Sequence, residues 1–368
     1  MPPKPELSIQ LFRINGFTPL ASVVSPRKIT IKSAFGAGKR RCWIELFNED
    51  ASFPAALGCV LEVWINGVRC FRGRVAERRI DSIDDRLSLY AVWDPEREFN
   101  QAANGRFENL TTDAILDLLM ANSPLKRAGA YGHAYAFGAI EFSDYPFFSA
   151  VDLLAKLAGN WLWDVGEDAA LRFRPRQSIP DHPLFLAPGA YVVNLWETVN
   201  DAFAYVRLNG GFADGEVYEN WIALPGRLYS SEAEIARVYV RPLASFDAVA
   251  ALRRAILQQM RRPNYEHYVD LIGYGEKIAP GDTVRFRADD MPQLPQDRIF
   301  RVKMREITYA HEQLQTRLHL TSGLESSSTF FYYFHNDSIF LPSFKEGKSG
   351  AFQLDVSAMD SQTHIDAA

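Results

Sequence analysis

The residue types that can do chemistry are plentiful in this sequence but dispersed. His133, His182, His267, His311, His319, His335 and His364 stand apart, with no His-Glu-x-x-His run and no close His/Asp/Glu group of metal-ligand spacing. Cys42, Cys59 and Cys70 are odd in number and form no Cys-x-x-Cys pair, so they are expected to be buried, reduced thiols. Glycoside hydrolysis needs two facing carboxylates. Asp81 with Asp84 and Asp85, and Asp289 with Asp290, are the available groups, and both fall in expected turns where acids are solvated. Gly36-Ala37-Gly38-Lys39-Arg40 has neither the spacing of a phosphate loop nor a following amphipathic helix. Nucleophile-elbow and dinucleotide-binding motifs are absent. The basic groups are more clustered: Lys39-Arg40-Arg41, the row Arg69, Arg72, Arg74, Arg78, Arg79, and the set Arg253, Arg254, Arg261, Arg262. Strand residues two apart share a face, so Arg72 and Arg74 project together. Arg72, Arg74, Arg78, Arg253 and Arg254 are therefore candidates for lining a channel or meeting an acidic partner. No catalytic residue, metal site or cofactor is expected.

Five stretches must position these groups. Residues 7–93 alternate as strands, and Asn66-Gly67 between Leu61-Glu62-Val63-Trp64-Ile65 and Val68-Arg69-Cys70-Phe71-Arg72 predicts a tight hairpin. Residues 94–108, opened by Asp94-Pro95 and small and polar at 100–105, read as a linker. Over 109–178 the period becomes helical. Thr111 or Thr112 caps a helix bearing Ile115, Leu118 and Leu119, and a second helix starts near Pro146 and ends at Gly159. Trp161-Leu162-Trp163-Asp164-Val165 and Leu171-Arg172-Phe173-Arg174 then form a hairpin. Residues 188–323 return to strands, interrupted by one helix capped by Ser245 and running to Pro263. Residues 324–368 form a polar tail that carries the aromatic run Phe330, Phe331, Tyr332, Tyr333 and Phe334. Exposed, that run would be a sticky patch, so it is expected to be buried, either against its own second barrel or, as the preferred reading after the flexible Ser326-Ser327-Ser328, against a neighbour.

Residues 43–89 and 268–320 share an order of features. Ile44-Glu45-Leu46 parallels Val269-Asp270-Leu271. Gly58, Val60 and Val63 parallel Gly281, Thr283 and Phe286. Phe71-Arg72 parallels Phe300-Arg301, Val75 and Glu77 parallel Met304 and Glu306, Ile80 parallels Ile307, and Arg86-Leu87-Ser88-Leu89 parallels Arg317-Leu318-His319-Leu320. A duplicated barrel with an insertion between its copies would let three chains present six quasi-equivalent barrels. The expected fold is mainly β with an α+β insertion: a first β-barrel domain at 1–95, an α+β domain at 96–185, a second barrel at 186–323 and a tail at 324–368.

This order resembles the late-control-D-like baseplate (tail) hub proteins of tailed bacteriophages. It is also similar to the N-terminal part of type VI secretion spike proteins. The residues that carry the resemblance are Trp93-Asp94-Pro95, the helices around Ala114-Ile115-Leu116 and Val151-Asp152-Leu153-Leu154, the Trp161 hairpin and Pro280-Gly281-Asp282-Thr283-Val284. The resemblance covers about residues 7–323. It implies a non-enzymatic homotrimer forming a pseudo-six-fold ring between tail tube and spike or tip protein, in contact with other baseplate proteins and with DNA only as passing cargo. It places the chain in the virion. Nothing past residue 323 reads as a spike repeat, so the spike is expected to be another polypeptide.

Composition agrees with that class and excludes others. The 368 residues carry a net charge of −5 and 47% hydrophobic residues, enough for real cores and too acidic for a general nucleic-acid coat. No apolar run is long enough for a membrane span, and Met1-Pro2-Pro3-Lys4-Pro5-Glu6 has no leader character, so synthesis in the host bacterial cytoplasm is expected. The competing expectation is a tail-associated cell-wall hydrolase or glycan-binding protein. Its signature would be an exposed Trp161–Trp163 platform beside paired acids.

Overall fold

The computed structural model describes residues 5–13, 16, 18–23, 26–47, 57–81, 86–99, 101–129, 135–166, 168–175, 180–186, 191–198, 205–213, 216–223, 235–260, 264–287 and 298–321. The first β module contains β1 (Leu7–Phe12), β2 (Pro19–Val23), β3 (Lys28–Ala34), β4 (Arg40–Phe47), β5 (Val60–Ile65), β6 (Val68–Asp81) and β7 (Arg86–Trp93). In β7 every second residue, from Leu87 to Trp93, is buried, as period-two patterning requires. Asn66 and Gly67 have φ of 51° and 73°, the two positive angles that a two-residue hairpin between β5 and β6 demands. The core of this module includes Ile9, Ile31, Ile44, Leu61, Phe71 and Leu89. Cys42, Cys59 and Cys70 are buried there as free thiols.

The middle region begins with α1 (Pro95–Phe99), β8 (Ala102–Thr111), α2 (Thr112–Met120), β9 (Lys126–Ala128), β10 (Ala136–Pro146), α3 (Phe147–Leu157), β11 (Leu162–Val165) and β12 (Ala170–Arg174). The expected linker at 94–108 is instead a short helix and most of a strand. β8 is held by an antiparallel ladder to β10, from Thr111 opposite Ala136 to Ala102 opposite Pro146, a distant partner that local patterning does not reveal. Thr111 is the N-cap of α2: its hydroxyl oxygen accepts the Ala114 N–H at 3.2 Å. Every residue of α3 is buried, including Asp152 and Lys156, which pair one turn apart. Gly159, at φ 93°, lets the chain leave α3.

The remaining elements are β13 (His182–Phe185), β14 (Tyr191–Thr198), β15 (Tyr205–Ala213), β16 (Glu216–Ala223), β17 (Ile235–Tyr239), α4 (Phe246–Met260), β18 (Asn264–Ile272), β19 (Thr283–Arg287), β20 (Phe300–Ala310) and β21 (Gln313–Thr321). They do not form one unit. β15, β16 and β17 make a separate sheet, and Ala248, Val249, Leu252 and Ile256 of α4 are buried in the same core as α3. The expected boundary at 186 therefore differs from the packing: the middle core takes Leu208, Val240, Leu243 and α4 from beyond it. A helix's apolar stripe says that it is buried but not against what. The Ser245 hydroxyl, expected to cap α4, donates to Ala139 O of β10 at 3.0 Å and so ties the helix to that strand.

The duplication is written in the hydrogen bonds. The first module has the strand order β4-β7-β6-β5 and the second has β18-β21-β20-β19, with β3 on the outer side of β4 and β14 on the outer side of β18. Gly58 and Gly281 have φ of 84° and 89°. The Gly58 N–H donates to Val75 O at 2.8 Å, and the Gly281 N–H donates to Val302 O at 2.8 Å. A bulge follows each valine: Ala76 is skipped between β6 and β7, and Lys303 between β20 and β21.

These bonds also correct part of the expected alignment. Ile44 with Val269, Gly58 with Gly281, Val60 with Thr283 and Ile80 with Ile307 stand as expected. Val75, however, corresponds to Val302 rather than Met304, Leu89 to Leu318, and Gly73 rather than Phe71 to Phe300. The reason is steric. A Cβ on Gly73 would lie 2.5 Å from Cζ of Phe71, so the Phe71 ring lies over Gly73. One buried aromatic fills the corresponding core position in each copy, reached from strand sites two residues apart. A period of two leaves the face unchanged under such a shift.

The two modules share one sheet. β20 pairs antiparallel with β3, from Met304 opposite Ala34 to Ala310 opposite Lys28, and Ile307, Tyr309 and Leu314 are buried in the first module's core.

Candidate functional site

Among the described residues, titratable groups from distant parts of the chain come together where β11 and β12 of the middle region meet the loop before β19. Asp164, on β11, is buried and faces Arg172 at 3.9 Å. Arg172 is also 3.7 Å from Asp282. Asp282 accepts the Ala279 N–H at 2.8 Å and lies 2.9 Å from His182 Nε2. Next to it, Arg174 makes a two-pronged pair with Asp181 and donates to Gly281 O at 3.1 Å. Asp181 also accepts from the N–H and the hydroxyl of Thr283. Arg40, from the first module, donates to Val165 O at 2.6 Å and lies over the Trp93 ring. Gly281 is required here: a Cβ would meet the Asp164 carboxylate and the Phe35 ring at 3.1 Å each.

The electrostatics follow from burial and pairing. Burial pushes the Asp164 carboxyl up to about 6, against the opposing pull of Arg172 and Arg40. Burial also acts to raise Asp181, but the Arg174 and Thr283 hydrogen bonds outweigh it and hold the group at about 2. The hydrogen bond to Asp282 raises His182 above its ordinary value. All three modules contribute, and among the described residues each of these charged groups is held by a partner of opposite charge or by a hydrogen bond. The arrangement is chemically a clamp that fixes the middle region to the second module. Sequence reading missed it because its members come from 40, 164–182 and 281–283. The one local signal was Pro280-Gly281-Asp282-Thr283.

The expected basic candidates do not converge into one patch. Arg72 and Arg74 are exposed on β6 and pair with Glu62 at 3.5 Å and Glu98 at 3.6 Å. Arg78 is exposed further along the same strand. Arg253 and Arg254 are exposed on α4, which belongs to the middle core, with the Arg254 guanidinium 5.5 Å above the Tyr135 ring. Phe330, Phe331, Tyr332, Tyr333 and Phe334 lie outside the described residues, as do Asp84, Asp85, Asp289 and Asp290.

The second module has a buried counterpart to Arg78. Arg305 occupies the corresponding position on β20, and its guanidinium donates to Glu276 O, Ile278 O and, across the seam between modules, Cys70 O. Trp161 and Trp163 do not form a glycan platform. Trp163 is buried, stacked on Phe148, with its indole N–H given to Asp152 at 2.9 Å, while Trp161 packs on Phe173.

Among solved structures, the chain is similar to a tail protein from Neisseria meningitidis MC58, at 15% identity and a TM-score of 0.62 over 87% of this chain and 97% of that one. It is also similar to the 43 kDa tail protein of prophage MuSo2 from Shewanella oneidensis, at 13% identity and TM-score 0.60 over 87% and 100%. A prophage tail protein from Listeria monocytogenes EGD-e matches at 10% identity and TM-score 0.54 over 90% and 99%. No protein-family model and no curated protein sequence matches the chain. The likeness therefore lies in the fold, which this chain shares with phage tail proteins over nearly their whole length.

Proposed function

We propose that the chain is a structural hub of a phage tail or a related injection machine. Three copies would form a ring whose six β modules meet a six-fold tail tube above and a three-fold spike or tip below. Other baseplate proteins would dock outside it, and DNA would pass through as cargo. The carrying observation is the repeated strand order with its conserved glycine and bulge, joined in one chain by the β3–β20 ladder. That ladder gives the two modules the head-to-tail relation that rings are built from. The tail-protein fold supports the same role, with the virion as the chain's location. A scaffold role also fits the ionic clamp, which spends its charged groups on holding modules together. Light scattering of the purified chain tests the reading. A mass of three chains, alone or with tail neighbours added, is the expected result; a monomer under both conditions would remove the hub reading.

A further inference from the structure

Among the described residues, the most exposed large apolar side chain is Phe185, at 76%. It stands at the end of β13, opposite Arg287 of β19, as Pro183 stands opposite Arg285. Residues in register on neighbouring strands share a face, and all four of these are exposed. An aromatic ring beside two guanidinium groups thus forms a patch on the outer face of the second module. The first module presents a different face at the equivalent place. Val60 corresponds to Thr283, so Glu62 and Trp64 stand where Arg285 and Arg287 stand, and β1 sets Gln10 and Ser8 opposite them. Glu62 takes Arg69 and Arg72 at 3.5 Å each and the Trp64 indole N–H at 3.1 Å. That face is paired within itself. The patch belongs to the copy from which the C-terminal segment leaves.

We infer that, before assembly, the segment after Gly323 folds back on its own chain and seats the run Phe330-Phe331-Tyr332-Tyr333-Phe334 on this patch. Strand direction supports the path. Thr321, the last residue of β21, is opposite Arg301 of β20, which is opposite Thr283 of β19. β21 and β19 both run antiparallel to β20, and β13 runs parallel to β19. The chain leaving Thr321 therefore heads the way that leads from Thr283 to Arg287 and Phe185. Three strand spacings across and four residues along put Phe185 roughly 20 Å from Thr321. Phe330 lies nine residues past Thr321, a reach of about 30 Å. Charge supports the occupant. Glu325 and Asp337 flank the run, and no lysine or arginine occurs from residue 324 to 344. The two acids meet Arg285 and Arg287 while the rings cover Phe185. Run and patch are each sticky when bare, and each masks the other. On the hub reading, assembly then draws the run onto a neighbour; the contact within the free chain does not depend on that reading.

The test is brief digestion of the full chain, at low and high protein concentration, with chymotrypsin, which cuts after Phe and Tyr. Cleavage within 330–334 should be slow in the wild type and at least tenfold faster in Phe185→Asp with Arg287→Glu. Ser8→Asp, at the equivalent place in the first module, should leave the rate unchanged. Arg285→Glu with Arg287→Glu should also expose the run, and adding Glu325→Arg with Asp337→Arg should restore protection. Rapid cutting of the wild type, or a patch variant as protected as the wild type, overturns the inference. So does protection found only at high concentration, which would put the run on another copy. A cross-link gives a second measurement. Phe185→Cys with Tyr332→Cys, treated with a short bis-thiol-reactive linker, should yield a faster-migrating single chain on a denaturing gel, with Cys42, Cys59 and Cys70 buried. Covalent dimers alone, or no link, would also overturn it. A wild type that is protected in this way yet never trimerises, with or without tail neighbours, would remove the hub reading and leave this contact standing.

Discussion

Gly73 shows how one residue decides a register that patterning leaves open. It sits on β6 beneath the Phe71 ring, and a Cβ there would also come within 2.8 Å of the Val92 backbone. Its backbone is ordinary strand, so the constraint is space rather than conformation. Gly73→Ala is expected to displace the ring and cost about 1–3 kcal/mol by overpacking, measurable as a lower urea midpoint at unchanged slope. An unchanged midpoint would mean that the ring has room to move. His267 makes a second residue-scale contrast. It corresponds to Cys42 of the first module, packs edge-on to Phe286 and Phe300, and burial lowers it to about 4, so it is neutral at neutral pH.

At the scale of elements, β11 and the loop before β19 are joined by a buried carboxylate, which gives the junction a pH signature. The Asp164 carboxyl rises from 3.8 to about 6 on folding. Between those values the native state holds a proton that the unfolded chain has lost, so this group's contribution falls as pH rises. His267 acts in the opposite sense over about the same window. The unfolded chain protonates it below about 6.5 while the native state resists down to about 4, so its contribution rises with pH. The two slopes offset each other in the wild type. Asp164→Asn removes one of them. The variant should gain up to about 3 kcal/mol at pH 7, and its melting temperature should climb more steeply from pH 4 to 6 than the wild type's. Parallel melting curves across that range would show that Asp164 is not protonated in the native protein.

At the scale of the whole molecule, the last described strand, β21, ends at Thr321, and the aromatic run at 330–334 lies outside the described residues. On the proposed function that run docks on a neighbouring chain or on the spike. If so, a chain ending after Gly323 should keep its far-ultraviolet circular dichroism and a cooperative melt, yet fail to enter the assembled tail. Normal incorporation of the truncated chain would show that the segment docks nowhere important.

Much of this was legible in the sequence, where local patterns carry the information. Period-two alternation marked β4, β5, β7 and β18, and Asn66-Gly67 marked a hairpin because both positions need positive φ. Thr111 marked the start of α2, and Gly58 with Gly281 anchored the repeat. The mainly β fold with its α+β insertion, and the likeness to phage tail proteins, followed from that order. Tertiary structure alone decided what depends on distant partners. β8 is a strand only because β10 lies beside it, and α4 belongs to the middle core only because α3 is there. The register of β6 and β20 turned on a ring lying over Gly73, and the ionic clamp on side chains more than a hundred residues apart. Alternation fixes which face a residue takes; only packing fixes which neighbour it meets.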